Sequence, residues 1–471
     1  MLLRFFRIND PYRLLGLLIL LMLLSLPYFI DPAPTTIQEL KSAVLGEAIR
    51  DGKLMYIQVI DSTAPCTAGT FGLMNWFFGR SLLIQHVLAL LLIFFQASFF
   101  AALLIQNKAY NDNTYVPAVV YGLLCFFSFD LLSFSPELLA STVLLLALNN
   151  LFKEIEFRIQ RDEIILYLGV YLGVATLLVF SYVVFLFATV LILFLFTRLS
   201  VRKLFLLLFG FVLPHALLIT LYFLWGETSL LWQNFYAPNL TVHGTMFITV
   251  KSVLVLCALP FGYFVFSLFM LNREARFTKY QTQLFQVMFQ WMLFCIVQVW
   301  VTREFAPHAL IVFVPSLAYF ISHYLLLIGR RWIADTMLWI FLFGILTVNL
   351  LSRYNTMNSV DYRNLFPKES PYSGLINNQR VMVLADDPGI YQRNRMAAYF
   401  LDWNLSRDVL EGPDYYENVI LVQRALKTDP PETIIDPNGL MKKFFDRIPE
   451  LQSRYRKDSV FYRRIPAVPG P

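Results

Sequence analysis

Apolar residues fall in long runs along this chain, with polar residues gathered between them. A helix needs about 20 apolar residues to cross the hydrocarbon core of a bilayer. The runs predict about eleven such helices, over 12–30, 82–106, 116–133, 136–152, 164–179, 181–197, 204–225, 248–270, 284–301, 308–329 and 333–352. Phe180-Ser181-Tyr182 reads as a tight hairpin between the two runs it separates. The first run, Tyr12 to Ile30, has no charge after Arg13, as a signal peptide would. It lacks a small-residue cleavage site and further spans follow it, so it reads as a retained helix.

The loop between the first two runs, 31–81, is long for a polytopic protein. Ile37, Leu40, Val44, Leu45 and Ala48 recur at helical spacing and predict an amphipathic interfacial helix over Thr36 to Ile49. Thr35 or Thr36 can cap it, with Glu39 completing a capping box. Asp51-Gly52 turns the chain, Leu54 to Ile60 reads as extended, and Thr70 to Phe78 as a second interfacial helix.

After about residue 353 no segment can span. Val381 to Pro388 reads as a buried strand ending in an acidic turn, Arg393 to Trp403 and Tyr416 to Leu426 as helices, and Pro431 to Pro437 as a short strand. That order predicts a small α/β domain. No glycine-rich phosphate loop accompanies either strand, which argues against a nucleotide site. The expected fold class is a polytopic α-helical membrane protein with a small C-terminal α/β extracytoplasmic domain. Its transmembrane domain covers 1–352, including the first extracytoplasmic loop at 31–81, and its soluble domain covers 353–471.

Composition reinforces this. Of 471 residues, 58% are hydrophobic and 15% charged, and the mean hydropathy of +0.59 excludes an ordinary soluble domain. Cys66, Cys125, Cys257 and Cys295 are scattered, so neither a disulfide framework nor a structural zinc site is indicated. His86, His215 and His323 lie in or beside spans and read as packing groups. The net charge of +6 does not indicate nucleic acid, because the basic residues follow topology. With a cytoplasmic N-terminus, the inside loops hold Arg4, Arg7, Lys108, Lys153, Arg158, Arg161, Arg198, Arg202, Lys203, Arg273, Arg276, Lys279, Arg330 and Arg331. The outside loops before the tail hold mainly Lys41, Arg50, Lys53, Arg80 and Arg303. By the positive-inside rule the first loop and the tail then face outward.

Carboxylates at a membrane face can hold a divalent cation against a lipid phosphate. They can also act as the general base for an acceptor hydroxyl. Asp61, beside Thr63-Ala64-Pro65, and Glu39 are the loop's candidates, although Asp61 also suits a turn cap and Glu39 a helix cap. Asp130 and Glu137 flank the turn between the third and fourth spans, where ionisable groups are costly unless paired or functional. Glu137 also suits a helix N-terminus after Pro136. In the loop Gly226 to Met246, Trp232, Asn234, Tyr236, Asn239 and His243 suit sugar recognition or an aromatic belt. Asn239-Leu240-Thr241 matches a glycosylation sequon. Arg303 stands outside against the charge trend, and its planar fork matches phosphate.

Gln38-Glu39, Gly46-Glu47-Ala48-Ile49-Arg50-Asp51-Gly52-Lys53-Leu54-Met55-Tyr56 and Asp61-Ser62-Thr63-Ala64-Pro65 together resemble the first external loop of GT-C membrane glycosyltransferases. That superfamily includes protein O-mannosyltransferases and the aminoarabinose transferases of lipid A. Where it usually carries an Asp-Glu pair, this chain has Gln38-Glu39. The resemblance implies transfer of a sugar from a polyprenyl-phosphate donor to an envelope acceptor, by inversion and with an acidic base. On this reading Asp61 and Glu39 are the catalytic candidates, Asp130 and Glu137 give acidic support, and Arg303 holds the donor phosphate. Tyr56, Trp232 and Tyr236 would contact sugar or acceptor.

No metal ligand set is assigned, and a divalent cation is a candidate cofactor. Expected partners are a polyprenyl-phosphate-linked sugar, membrane lipid and an envelope protein meeting 353–471, in the bacterial inner membrane. Two alternatives stand beside the enzyme: a non-catalytic envelope assembly protein, and a transporter of a lipid-linked intermediate. The transporter needs charges deep in spans, for which Asp335 is the candidate.

Overall fold

The computed structural model describes residues 2–156, 162–197, 199–241, 244–274, 277–354, 356–357 and 359–465. Arg158, Arg161, Arg198, His243 and Arg276, named above, lie outside the described residues. The protein is a polytopic helical membrane protein. Among the described residues, 8 helices are long and apolar enough to span: Arg13–Ile30, Leu82–Gln106, Pro136–Ile155, Val201–Leu224, Val250–Arg273, Lys279–Val301, Pro307–Leu327 and Arg331–Arg353. The other expected spans are shorter helices, namely Val116–Leu124, Asp162–Leu178 and the segment Phe180–Phe196, which opens on a 3₁₀ turn at the anticipated break.

The continuous span expected over 116–133 is corrected. Its helix has 9 residues, about 14 Å at 1.5 Å per residue and too short to cross. A 3₁₀ turn, Phe129–Leu132, follows it. Polar side chains hold that turn by bonding locally: Ser128 Oγ donates to Asp130 Oδ1 at 2.6 Å and Ser133 Oγ to the Asp130 carbonyl at 2.7 Å. Elsewhere two helices approach to backbone contact. A Cβ on Gly169 would stand 2.2 Å from the Leu207 carbonyl, and one on Gly210 2.4 Å from that of Leu166. Only glycine permits Asp162–Leu178 and Val201–Leu224 to cross this closely.

The chain forms two compact units. The first comprises Met1–Pro34, Ser81–Leu218 and Val242–Leu365, and holds the long helices except the end of Val201–Leu224 from Ile219 onward. The second comprises Thr35–Arg80, Ile219–Thr241 and Phe366–Pro471. The first loop and the tail thus share one unit.

In that second unit, helix Ile37–Arg50 starts on the expected capping box. Leu54 to Ile60, expected to be extended, instead forms a tight turn. The Tyr56 N–H donates to the Val59 carbonyl at 2.9 Å, with Tyr56 at φ +64°. Helix Pro65–Phe78 begins earlier than expected because Pro65 starts its first turn.

The tail carries a five-stranded sheet. Strand Arg380–Val383 pairs in parallel with Arg395–Met396 on one side and Thr433–Ile435 on the other. Thr433–Ile435 pairs antiparallel with Phe461–Arg464, which pairs antiparallel with Tyr455–Asp458. Helices Trp403–Glu411 and Tyr416–Thr428 form the crossover between the parallel strands. The helix expected over 393–403 is absent. Met396 through Phe400 are all buried, so this apolar run is core chain rather than one face of a helix, and Asp402 caps the helix that follows.

Loop and tail interlock. The Ile60 N–H donates to the Tyr399 carbonyl at 2.7 Å, and Ile60 accepts from the Asp402 N–H at 3.1 Å. Ile60 belongs to the tail's apolar core with Met382, Leu384, Val422 and Phe444. Lys53 Nζ donates to the Ala398 carbonyl at 3.1 Å and pairs with Asp429, a carboxylate that Arg380 also meets.

Candidate functional site

In the first unit the structure joins two of the sequence candidates through a residue that sequence reasoning missed. His308 sits between Asp130 and Glu137. Its backbone N–H donates to Asp130 Oδ2 at 2.8 Å, and its Nδ1 lies 3.2 Å from the same oxygen. Its Nε2 lies 3.2 Å from Glu137 Oε2. All three residues are buried. Both ring nitrogens thus lie near carboxylate oxygens. Ser128 holds the second Asp130 oxygen, and Tyr362 stands 3.5 Å from the Ser128 hydroxyl.

Buried ionisable groups in contact are candidates for positioning or reaction. The only signal for His308 in the sequence was a polar residue opening an apolar run. Its partners are remote in the chain, so no local pattern reveals the cluster.

Arg303 precedes His308 on the same loop and is half-buried. Its carbonyl accepts from the Thr245 N–H at 2.8 Å, opening a short parallel pairing of Thr245–Met246 with Glu304–Phe305. A Cβ on Gly244 would come within 2.3 Å of the Arg303 oxygen, so a side chain there would displace this loop. The other histidines pack: His86 Nδ1 meets the Leu132 carbonyl at 2.8 Å, His215 meets Thr176, and His323 lies against Tyr110 and Tyr319. Asp335, the transport candidate, accepts from the Leu3 N–H at 2.8 Å.

In the second unit Thr63 links two candidates. Tyr56 Oη donates to the Thr63 carbonyl at 2.6 Å, and the Thr63 hydroxyl donates to Asp61 Oδ2 at 2.7 Å. Asp61 Oδ1 accepts from the Ser62 N–H at 2.8 Å. The Asp61 carboxylate is therefore oriented by two donors. Complete burial, with Tyr222 and the Asp61 charge nearby, holds the Tyr56 phenol well above its usual range, so it acts as a donor.

Glu39 has the bland role: its carboxylate accepts from the Thr36 N–H at 2.8 Å and closes the capping box. The amides expected to read sugars instead hold the loop. Asn234 Nδ2 donates to the Tyr56 carbonyl at 2.8 Å and Asn239 Nδ2 to that of Ser62 at 2.9 Å. The sequon's amide nitrogen is thus engaged within the fold. Trp232 is exposed and stacks on Tyr236 at 5.7 Å.

Among the described residues no group of three or more His, Cys, Asp or Glu side chains could hold a metal ion.

No family model and no curated protein matches the sequence. The fold is nevertheless one seen in a solved structure, over nearly the whole length of both chains. The chain is similar to ArnT from Cupriavidus metallidurans, whose crystal structure is bound to undecaprenyl phosphate. The TM-score is 0.53 at 11% identity, over 97% of this chain and 98% of that one. An Archaeoglobus fulgidus oligosaccharyltransferase in the apo form overlays at 0.49 with 9% identity, over 94% and 73% of the two chains. That second overlay is too loose to carry weight.

Proposed function

We propose that this protein is a membrane glycosyltransferase that takes its sugar from a polyprenyl-phosphate donor. The observation that carries the reading is the whole-length GT-C fold, similar to a protein solved with undecaprenyl phosphate bound. Asp61 is the general base: Thr63 and Ser62 fix its carboxylate to receive the acceptor hydroxyl's proton as the glycosidic bond forms. Glu39 serves the loop by capping its helix. Arg303 binds the donor phosphate, whose release as polyprenyl phosphate its charge favours. Asp130, His308 and Glu137 position the loop that carries Arg303.

The distribution of lysine and arginine supports a cytoplasmic N-terminus with the first loop and tail outside, in a bacterial inner membrane. Incubating the purified protein with undecaprenyl-phosphate-linked sugars and envelope extracts tests the proposal. Release of undecaprenyl phosphate that Asp61→Asn slows by about 10²–10⁴ is expected. Equal release by Asp61→Asn would remove the base assignment, and no release from any donor would remove the enzyme.

A further inference from the structure

A second site lies in the unit that joins loop and tail. Strand Arg380–Val383 has parallel neighbours on both sides, and the chain leaves its carboxyl end toward one neighbour and returns to the other. Open parallel sheets bind ligands in the crevice outside the strand ends at such a switch point. Here that crevice is a small, open-mouthed cleft. Residues following strand Arg380–Val383 form one wall, the start of helix Trp403–Glu411 another, and helix Ile37–Arg50 a third through Leu40, Lys41 and Val44.

The lining carries three carboxylates, Asp386, Asp387 and Asp402, against one ammonium, Lys41. Asp387 accepts from the Ser370 hydroxyl at 2.5 Å, and Asp402 caps its helix through the Asn404 N–H at 2.9 Å. Asp386 is exposed at the mouth, and Trp403 is half-buried beside it. Ser406 lines the cleft and is only 1% exposed, yet its hydroxyl has no hydrogen-bond partner in the described structure. A buried hydroxyl left without a partner costs stability that a polar ligand can return.

We infer that this cleft binds a sugar ring, neutral or amine-bearing. Its apolar face lies on Trp403, its hydroxyls donate to the aspartates, and one of them meets Ser406. The charge balance of the lining repels phosphorylated sugars. The inference does not rest on the transfer reaction, because binding here needs no lipid donor.

The test is saturation-transfer NMR on the full-length protein in detergent, with methyl α-glucoside, glucosamine and glucose 1-phosphate as probes. We expect signals from the first two and a much weaker one from the phosphate. Trp403→Ala should weaken binding about tenfold, as the loss of roughly 1.4 kcal/mol of contact would. Asp386→Asn, at an exposed position that leaves the fold intact, should weaken glucosamine more than the glucoside. Equal binding by Asp386→Asn and wild type, an equally strong glucose 1-phosphate signal, or no signal from any probe would overturn it.

Discussion

Asp130 and His308, 178 residues apart in the chain, share one carboxylate oxygen between a backbone N–H and a ring nitrogen. Losing one partner of a buried ion pair typically costs about 3–5 kcal/mol. Asp130→Ala and His308→Ala are each expected to destabilise the protein by that amount in detergent. The double variant should fall short of the sum by roughly 1–3 kcal/mol, as contacting residues do. Denaturant titration of the four species measures it, and strict additivity would mean that the pair carries no coupling.

The two acids of the first loop should behave oppositely. Asp61→Asn is expected to lower kcat by about 10²–10⁴, the usual contribution of a general base. Glu39→Gln should stay within about twofold of wild type, because glutamine also completes a capping box. A kinetic assay with a lipid-linked donor separates them, and comparable losses in both would return Glu39 to the chemistry.

Arg303 is expected to act on the donor. Arg303→Ala should raise the donor KM roughly tenfold to a hundredfold, the value of one charge-assisted contact of about 1.5–3 kcal/mol. Arg303→Lys should recover only part of this, because an ammonium lacks the bidentate fork. An unchanged KM in both variants would place the phosphate elsewhere.

Tyr56 gives a pH signature. Its phenol ionises well above the ordinary value of 10.0 in the folded protein. Above that pH the unfolded chain loses the proton while the native chain keeps it, so its contribution makes stability fall as pH rises past 10. Tyr56→Phe should cost about 1 kcal/mol at neutral pH, one hydrogen bond, and should flatten the alkaline decline. Melting curves of both proteins between neutral pH and the alkaline limit check this; parallel declines would argue against it.

Signals that act over a turn or two of chain were legible in the sequence. The apolar runs located the helices, and Thr36 with Glu39 marked the start of Ile37–Arg50, because capping and helical period are local. Asp130 and Glu137 stood out as charges in apolar surroundings. His308 did not, since only tertiary contact joins it to them. The same limit hid the true course of Met396 to Phe400, whose burial comes from a sheet and a loop that are distant in sequence. The turn at Tyr56 was misread because a non-glycine residue at positive φ leaves no compositional trace.

Lys53 is synthesised 345 residues ahead of the Ala398 carbonyl it will meet. At about 5–20 residues per second, roughly 20–70 s separate the two on the ribosome. For that interval the Lys53 ammonium lacks its tail partners, the Ala398 carbonyl and the Asp429 carboxylate. Completion of this unit is therefore a late step in biogenesis, and a chain stalled before its tail leaves Lys53 without these partners.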